Sequence, residues 1–214
     1  MSDGRVHLYS YWRSTTSYRV RIALNIKGIG YDLRPIDLVS DQQTTPEYLQ
    51  LNPIGGVPSL VLADSTVLTQ SMAILDYLDQ IAPDPALVPK DPVAAAKVRA
   101  AAFVVACDIH PVNNLKVGRK LKTMGHSQDE VVDWMNAWMA QGFAAIQALI
   151  RDDTPFCFGE TPGLADICLV PQLYNAHRWG TDLSPFERLT EIERRCLDLA
   201  AFDHARPENQ PDAP

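Results

Sequence analysis

The chain has 214 residues, 46% of them hydrophobic and 21% charged, with a net charge of −7 and a pI near 5.1. That length buries one large or two small cores, the composition excludes a disordered chain, and the acidic balance gives no support to a nucleic-acid or anionic-membrane partner. No apolar run spans a bilayer, and Met1–Arg5 leads straight into a strand-like segment without a secretory apolar stretch, so a cytoplasmic location is expected.

In chain order, His7–Tyr11 is a β-prone run, and Ser17–Lys27 carries Val20, Ala23, Leu24 and Lys27 at helical spacing. Gly28 stands where a helix stops. Tyr31–Leu38 is strand-like again, with Pro35 marking an edge or an end. Strand–helix–strand predicts a right-handed parallel crossover. A loop with a short helix follows over Asp41–Leu51 and runs into Asn52-Pro53-Ile54-Gly55-Gly56. Ser59–Leu62 and Thr66–Thr69 read as two strands around a turn. Ser71 reads as the N-cap of a helix to Ile81, with Ile74, Leu75 and Leu78 on its apolar face. That order is thioredoxin-like and assigns residues 1–84 to an α/β domain. Pro83-Asp84-Pro85 closes it, and Pro89-Lys90-Asp91-Pro92 ends the linker.

Residues 91–214 carry no convincing strand and read as an all-α domain. Asp91 with Pro92 opens an alanine-rich helix, and Ser127–Glu130 and Ser184–Glu187 both fit a capping box. Helices are expected near 92–122, 128–151, 164–177 and 186–200, followed by a loosely packed tail marked by Pro207 and Pro211. Cys107, Cys157, Cys168 and Cys196 show no paired spacing, so they read as small apolar residues in a reducing compartment; no metal site is expected.

Candidate chemistry gathers at three places. Ser14-Thr15-Thr16-Ser17 sets four hydroxyls at the junction of the first strand and first helix, where exposed amides and the helix dipole favour an anion. The same residues suit ordinary helix capping. Val57-Pro58 precedes a short strand, a place for a turn or a cis bond. Gln70-Ser71 opens another helix, again suited to a cap or to a carboxylate on its backbone amides.

Tyr11-Trp12-Arg13-Ser14-Thr15-Thr16-Ser17-Tyr18-Arg19-Val20-Arg21-Ile22-Ala23-Leu24 resembles the signature of the zeta class of glutathione transferases. Leu51-Asn52-Pro53 with Val57-Pro58, and Gln70-Ser71-Met72-Ala73-Ile74, resemble the glutathione site of that superfamily at its usual spacing. Asp108–Leu115 and Leu164–Gln172 are similar to zeta-class segments of the helical domain. The resemblance implies the glutathione-transferase fold, an α/β thioredoxin-like N-terminal domain plus an all-α C-terminal domain. It implies glutathione as cofactor and a homodimer.

It further implies a cis–trans isomerase in which a thiolate adds to a cis double bond, the bond rotates, and elimination leaves the trans product. The class includes maleylacetoacetate isomerases of tyrosine catabolism and maleylpyruvate isomerases. A general transferase acting on small halo acids and a non-catalytic binding protein are the alternatives.

By the same resemblance, Ser14 and Thr15 match positions that bond the glutathione sulfur. Thr16 stands where many members have cysteine, and its hydroxyl remains a donor. Gln43, Val57, Gln70 and Ser71 match contacts to the glutathione backbone, with Pro58 cis for a paired main-chain bond at Val57. His110 and Asn114 match contacts from the helical domain. Arg13 and Arg178 match residues that hold the carboxylates of a small dicarboxylate substrate, for which the guanidinium fork is suited. Thr16 is similar to the maleylpyruvate enzymes and Asn114-Leu115 to the maleylacetoacetate enzymes; the balance favours maleylacetoacetate. Gly163 replaces a common Ser or Thr three residues before Asp166, so Asp166 is expected to cap a helix that glycine still permits.

Overall fold

A computed structural model of the chain describes residues 6–214; the expectation placed on Met1–Arg5 lies outside them. The described residues form two units, one running to Ala86 and including Asp198–Pro214, the other Leu87–Leu197.

The first unit is built on a four-stranded sheet of β1 (Val6–Ser10), β2 (Tyr31–Pro35), β3 (Ser59–Val61) and β4 (Val67–Thr69) in the order β2-β1-β3-β4. β1 runs parallel to β2 and antiparallel to β3, with Leu8 opposite Leu33 on one side and Leu60 on the other. The parallel pair brackets α1 (Thr15–Ile26), as the crossover rule requires. α2 (Pro46–Leu51) and α3 (Ser71–Ile81) complete the thioredoxin-like order. Leu8, Leu60, Val20, Leu24, Ile74 and Leu78 are fully buried, each contributing about 1.5–3 kcal/mol by leaving water.

α1 starts two residues earlier than the sequence suggests, because Ser14 takes an extended conformation and accepts the Ser17 amide as its N-cap. Gly28, at φ +64°, ends it in the left-handed conformation that costs glycine least. The expected cap at Ser71 is corrected by one position. Gln70 is the N-cap, and Ser71 is the first helical residue.

The tail also departs from expectation. Residues 198–214 belong to the first unit rather than the helical one, and they pack closely. α9 (Ala200–Asp203) buries Phe202, and Ala205 beyond it is equally enclosed. The buried Arg21 of α1 donates to the Ala205 carbonyl at 3.0 Å, the Trp12 carbonyl at 2.9 Å and Ser10 Oγ at 3.1 Å. Asn25 Nδ2 reaches the Ala201 carbonyl at 3.0 Å, and Asp212 Oδ2 accepts the Trp12 amide at 2.8 Å. One guanidinium thus joins strand, loop and tail. At the opposite end of α1 the buried Lys27 ammonium binds Asp79 at 2.8 Å and the carbonyls of Ala82 and Pro85, closing the end of α3 against the segment leaving the domain.

The second unit is entirely helical among its described residues: α4 (Pro92–Phe103), α5 (Leu115–Thr123), α6 (Gln128–Leu149), α7 (Leu164–Trp179) and α8 (Glu187–Leu197), with a π-helical turn over Val104–Ile109 and a 3₁₀ turn over Ser184–Phe186. α7 is its axis, with Ile167, Cys168, Leu169, Val170, Leu173 and Ala176 all enclosed. Asp91 caps α4 through the Ala94 amide at 2.8 Å, and Ser127 with Glu130 forms the expected capping box.

The single helix expected over 92–122 is divided. The π turn ends at His110, whose amide donates to Val105 at 2.9 Å, and Pro111 then lacks the amide that would carry the ladder on. Asn114 caps the new helix by accepting the Lys116 amide at 3.1 Å. The second expected box is absent at its amide, since the Ser184 N–H donates to Asp182 Oδ1 at 2.9 Å.

Gly163 permits α7 as anticipated. Its amide donates to Asp166 Oδ2 at 2.8 Å, while Asp166 Oδ1 accepts the Cys157 amide at 2.9 Å. A Cβ at Gly163 would stand 2.9 Å from the Leu87 carbonyl oxygen, which itself accepts the Leu164 amide at 2.9 Å. Glycine is therefore needed there for space.

Candidate glutathione site

At the N-terminus of α1 three groups form a chain. Ser14 Oγ and Thr16 Oγ1 are 2.9 Å apart, and Thr16 Oγ1 donates to the Val57 carbonyl at 2.8 Å. A hydroxyl has one proton and a carbonyl none. Thr16 therefore gives its proton to Val57, and the proton between Thr16 and Ser14 belongs to Ser14. Ser14 Oγ in turn accepts the Ser17 amide at 3.3 Å. Ser14 is half-buried and its proton can be re-aimed by rotating one bond; Thr15 beside it is buried, and Thr16 is held by the carbonyl.

The Val57–Pro58 peptide is cis. The loop before it is fastened from within the unit: Tyr48 Oη donates to the Gly56 carbonyl at 2.7 Å, and Asn52 Nδ2 reaches the same carbonyl at 2.8 Å and Ser59 Oγ at 3.1 Å. Burial pushes the Tyr48 phenol above its ordinary range, so it stays a donor. Gly55, at φ +63°, lies so close to Gln43 that a Cβ would meet the Gln43 carbonyl oxygen at 3.2 Å. The Gln43 side chain is buried. Its Nε2 donates to Asp41 at 3.1 Å, and its Oε1 has no protein partner.

Gln70 holds φ +67°, a conformation a non-glycine side chain adopts only where surrounding structure dictates it. It delivers the chain into α3, whose first-turn amides have no intrahelical acceptor. Ser71 heads that turn. Its Oγ lies 3.4 Å from Nη1 of the buried Arg19, which donates, so the Ser71 hydroxyl keeps its own proton to give. A positive charge thus sits behind a helix N-terminus, and both favour an anion there. A buried acceptor at Gln43, the cis turn at Val57 and the donors at Ser71 fit a peptide-like ligand bearing a carboxylate. Glutathione has that chemistry.

The remaining candidates are placed within their own units. Arg13 in the first unit lies over the Trp12 ring at 4.9 Å. In the second, His110 Nε2 and Asn114 Nδ2 are 3.4 Å apart on the turn between α4 and α5. Arg178, in the last turn of α7, lies over Trp179 at 4.4 Å. His177 pairs with the nearly buried Glu193 of α8 at 2.8 Å, a tie between helices. Three cysteines are buried, as small apolar residues should be, whereas Cys107 is exposed. Burial next to the Asp166 carboxylate pushes the Cys157 and Cys196 thiols up, and burial raises Asp166 as well.

Arg19 and Asn52 stand inside the segments that carry the family resemblance but receive no role there, and Tyr48 stands outside them; each acts on a neighbour of the site rather than standing in it. The signal available for Arg19 was its pairing with Arg21 on a helix whose other buried residues carry no charge.

Comparison with known proteins agrees with this geometry. The family model for the glutathione S-transferase N-terminal domain matches residues 4–80, and that for the C-terminal domain matches residues 132–195. The chain is 47% identical over 213 residues to a maleylacetoacetate isomerase of Pseudomonas aeruginosa, covering 97% of this chain and 98% of that one. Among solved structures it is similar to the holo form of a bacterial zeta-class maleylpyruvate isomerase, with a TM-score of 0.94 and 40% identity over 97% of this chain and 100% of the other. It is also similar to a maleylacetoacetate isomerase of Anaeromyxobacter dehalogenans with glutathione bound in its active site, with a TM-score of 0.89 and 41% identity over 98% of each chain.

Proposed function

Because the chain belongs to the glutathione S-transferase family, within the zeta-class isomerases, we propose that it is a glutathione-dependent cis–trans isomerase converting maleylacetoacetate to fumarylacetoacetate. The observation that carries the reading is the hydroxyl chain Ser14–Thr16–Val57, which ties the Thr16 proton to Val57 and leaves the Ser14 proton redirectable. Glutathione, when bound, supplies the thiolate that adds to the cis double bond and departs after rotation, so it returns unchanged. Ser14 holds that sulfur as an anion by turning its O–H from Thr16 toward it, with the α1 dipole behind it. Thr16 keeps the Val57–Pro58 turn in register with Ser14, while Thr15 contributes from its buried position beside them.

Gln43, Val57, Gln70 and Ser71 bind the tripeptide backbone, and Ser71 with Arg19 behind it receives the carboxylate. His110 and Asn114 add contacts from the helical unit. Arg13 and Arg178 hold the two substrate carboxylates, each with its charge spread over a tryptophan face. Leu115, directly after Asn114, is similar to the maleylacetoacetate enzymes rather than the maleylpyruvate enzymes, which favours maleylacetoacetate as the substrate.

A homodimer fits the surface of α4. Val93, Ala96, Ala100, Phe103 and Cys107 fall on one exposed face at spacings of three and four, with Val93 65% and Phe103 43% exposed. Such an apolar stripe suits a self-complementary partner. No helix of the described residues is long and apolar enough to cross a membrane, and a cytoplasmic location suits the reduced cysteines.

Purified protein offered maleylacetoacetate and maleylpyruvate separately, with and without glutathione, tests the reading. Glutathione-dependent trans product, formed from maleylacetoacetate with the higher kcat/KM, is expected. Stable conjugates in place of isomerised product would overturn it in favour of a transferase.

A further inference from the structure

Gly142 lies in the middle of α6, where glycine costs about 0.5–1 kcal/mol relative to alanine. Its backbone is helical, so no left-handed conformation calls for glycine. The reason lies across the helix interface. A Cβ at Gly142 would stand 2.3 Å from both Cγ1 and Cδ1 of Ile109 and 3.5 Å from Cγ1 of Val104. Val104 and Ile109 are the first and last residues of the π turn. Both ends of that turn therefore converge on one bare Cα, and α6 approaches it closer than any side chain permits.

The next residue after Ile109 is His110. A π turn carries one residue more per turn than the α-helix it interrupts, and so rotates everything that follows it. The segment beyond is fixed to the same helix twice more: Trp134 Nε1 donates to the Val112 carbonyl at 2.9 Å, and Asn113 Nδ2 donates to the Met135 carbonyl at 3.2 Å. α6 thus holds the turn on both sides of His110. The Gly142–Ile109 contact sets where the turn ends, and the other two contacts set where the chain goes from there.

We propose that Gly142 is a positioning residue for glutathione binding. Through Ile109 it fixes the π turn that aims His110 and, one turn on, Asn114. The proposal rests on the reading of His110 and Asn114 as glutathione contacts. In Gly142→Ala the new methyl drives Ile109 and the π turn off α6, and His110 moves with them. Double replacement Gly142→Ala with Ile109→Ala returns the space.

The test combines two readouts on the full chain. The first is glutathione affinity by calorimetry, and the second is the imidazole resonance of His110 by NMR. Gly142→Ala is expected to weaken glutathione about tenfold and shift the His110 resonance. Both are expected to return toward wild type in the double replacement, and Gly142→Ala is expected to weaken affinity less than tenfold in a His110→Ala background, where only the Asn114 contact remains to be lost, as residues acting through one another behave.

A folded Gly142→Ala protein with wild-type resonance and affinity overturns the proposal. If that variant does not fold, Ile109→Val removes only the Cδ1 methyl and loosens the contact on Gly142, and a change in the His110 resonance is expected; an unmoved resonance overturns it. Should His110→Ala bind glutathione like wild type, the reading of His110 fails by itself. The resonance comparison still decides whether Gly142 positions the ring.

Discussion

Replacing Ser14 by alanine separates the two hydroxyls that could hold the glutathione sulfur. Thr16 has its proton on the Val57 carbonyl at 2.8 Å, whereas Ser14 has its proton on Thr16 and can release it. A hydrogen bond to a charged group contributes about 1.5–3 kcal/mol, and one pKa unit is about 1.4 kcal/mol. Losing the Ser14 donor should therefore raise the pKa of the bound thiol by about 1–2 units, cutting the thiolate present at neutral pH, and kcat/KM with it, by roughly 10–100-fold. Ser14→Ala also removes the α1 cap, a loss of about 0.5–2 kcal/mol, so activity is compared at temperatures well below unfolding. Thr16→Val breaks the tie to Val57 at a cost of about 1–3 kcal/mol in stability, yet leaves the Ser14 proton available, and the thiol pKa should stay near its wild-type value. The assay is thiolate absorbance of the glutathione complex titrated from acid to alkaline pH, alongside steady-state rates. A thiol pKa raised in Thr16→Val but not in Ser14→Ala would refute the assignment.

The Cys157 and Cys196 thiols are held above their ordinary range by burial, so they stay protonated in the folded protein while the unfolded chain ionises above pH ~8.5. Stability is lost as pH rises past that value, by up to about 1.4 kcal/mol per pH unit for each thiol; urea unfolding at rising pH should show this slope, and Cys157→Ala with Cys196→Ala should flatten it. Gly163→Ser should destabilise by about 1–3 kcal/mol, because its Cβ meets the Leu87 carbonyl at 2.9 Å and the regained cap returns only tenths; a higher urea midpoint would contradict this. Phe103→Glu places a charge on the apolar stripe of α4 and should yield a monomer by light scattering, while an unchanged dimer mass would move the interface elsewhere.

Local patterns in the sequence were enough for the order of elements in the first unit, and the resemblance to the family, more than any local pattern, pointed to the candidate site. Ser14, Asp91 and Ser127 act through their nearest amides, so capping is readable over three or four residues. The cis bond at Val57 is announced by its proline and its place before a strand. What sequence alone missed depends on distance along the chain. Arg21 meets Ala205 across 184 positions, and no local pattern assigns residues 198–214 to the first unit. The division of the helix at 104–114 was missed for another reason. Pro111 and Asn114 are local break and cap signals that the alanine-rich run outweighed, whereas the π turn before them lies where Gly142 meets Ile109 from a second helix.

Thr16 shows why a departure from the common pattern need not weaken the site. A thiol is a poor hydrogen-bond donor, so cysteine at this position would hold the Val57 carbonyl loosely or not at all. Threonine holds it at 2.8 Å and thereby joins the head of α1 to the cis turn. The sulfur-holding end of the site and the cis turn are then one hydrogen-bonded body, in which the proton of Ser14, and not that of Thr16, is left to respond to the sulfur. Rigidity at Thr16 and freedom at Ser14 are two results of the same proton count. The arrangement predicts that Thr16→Cys keeps the sulfur donor but weakens backbone binding, raising KM for glutathione with little change in kcat. A loss of kcat with unchanged KM would place Thr16, and not Ser14, on the sulfur.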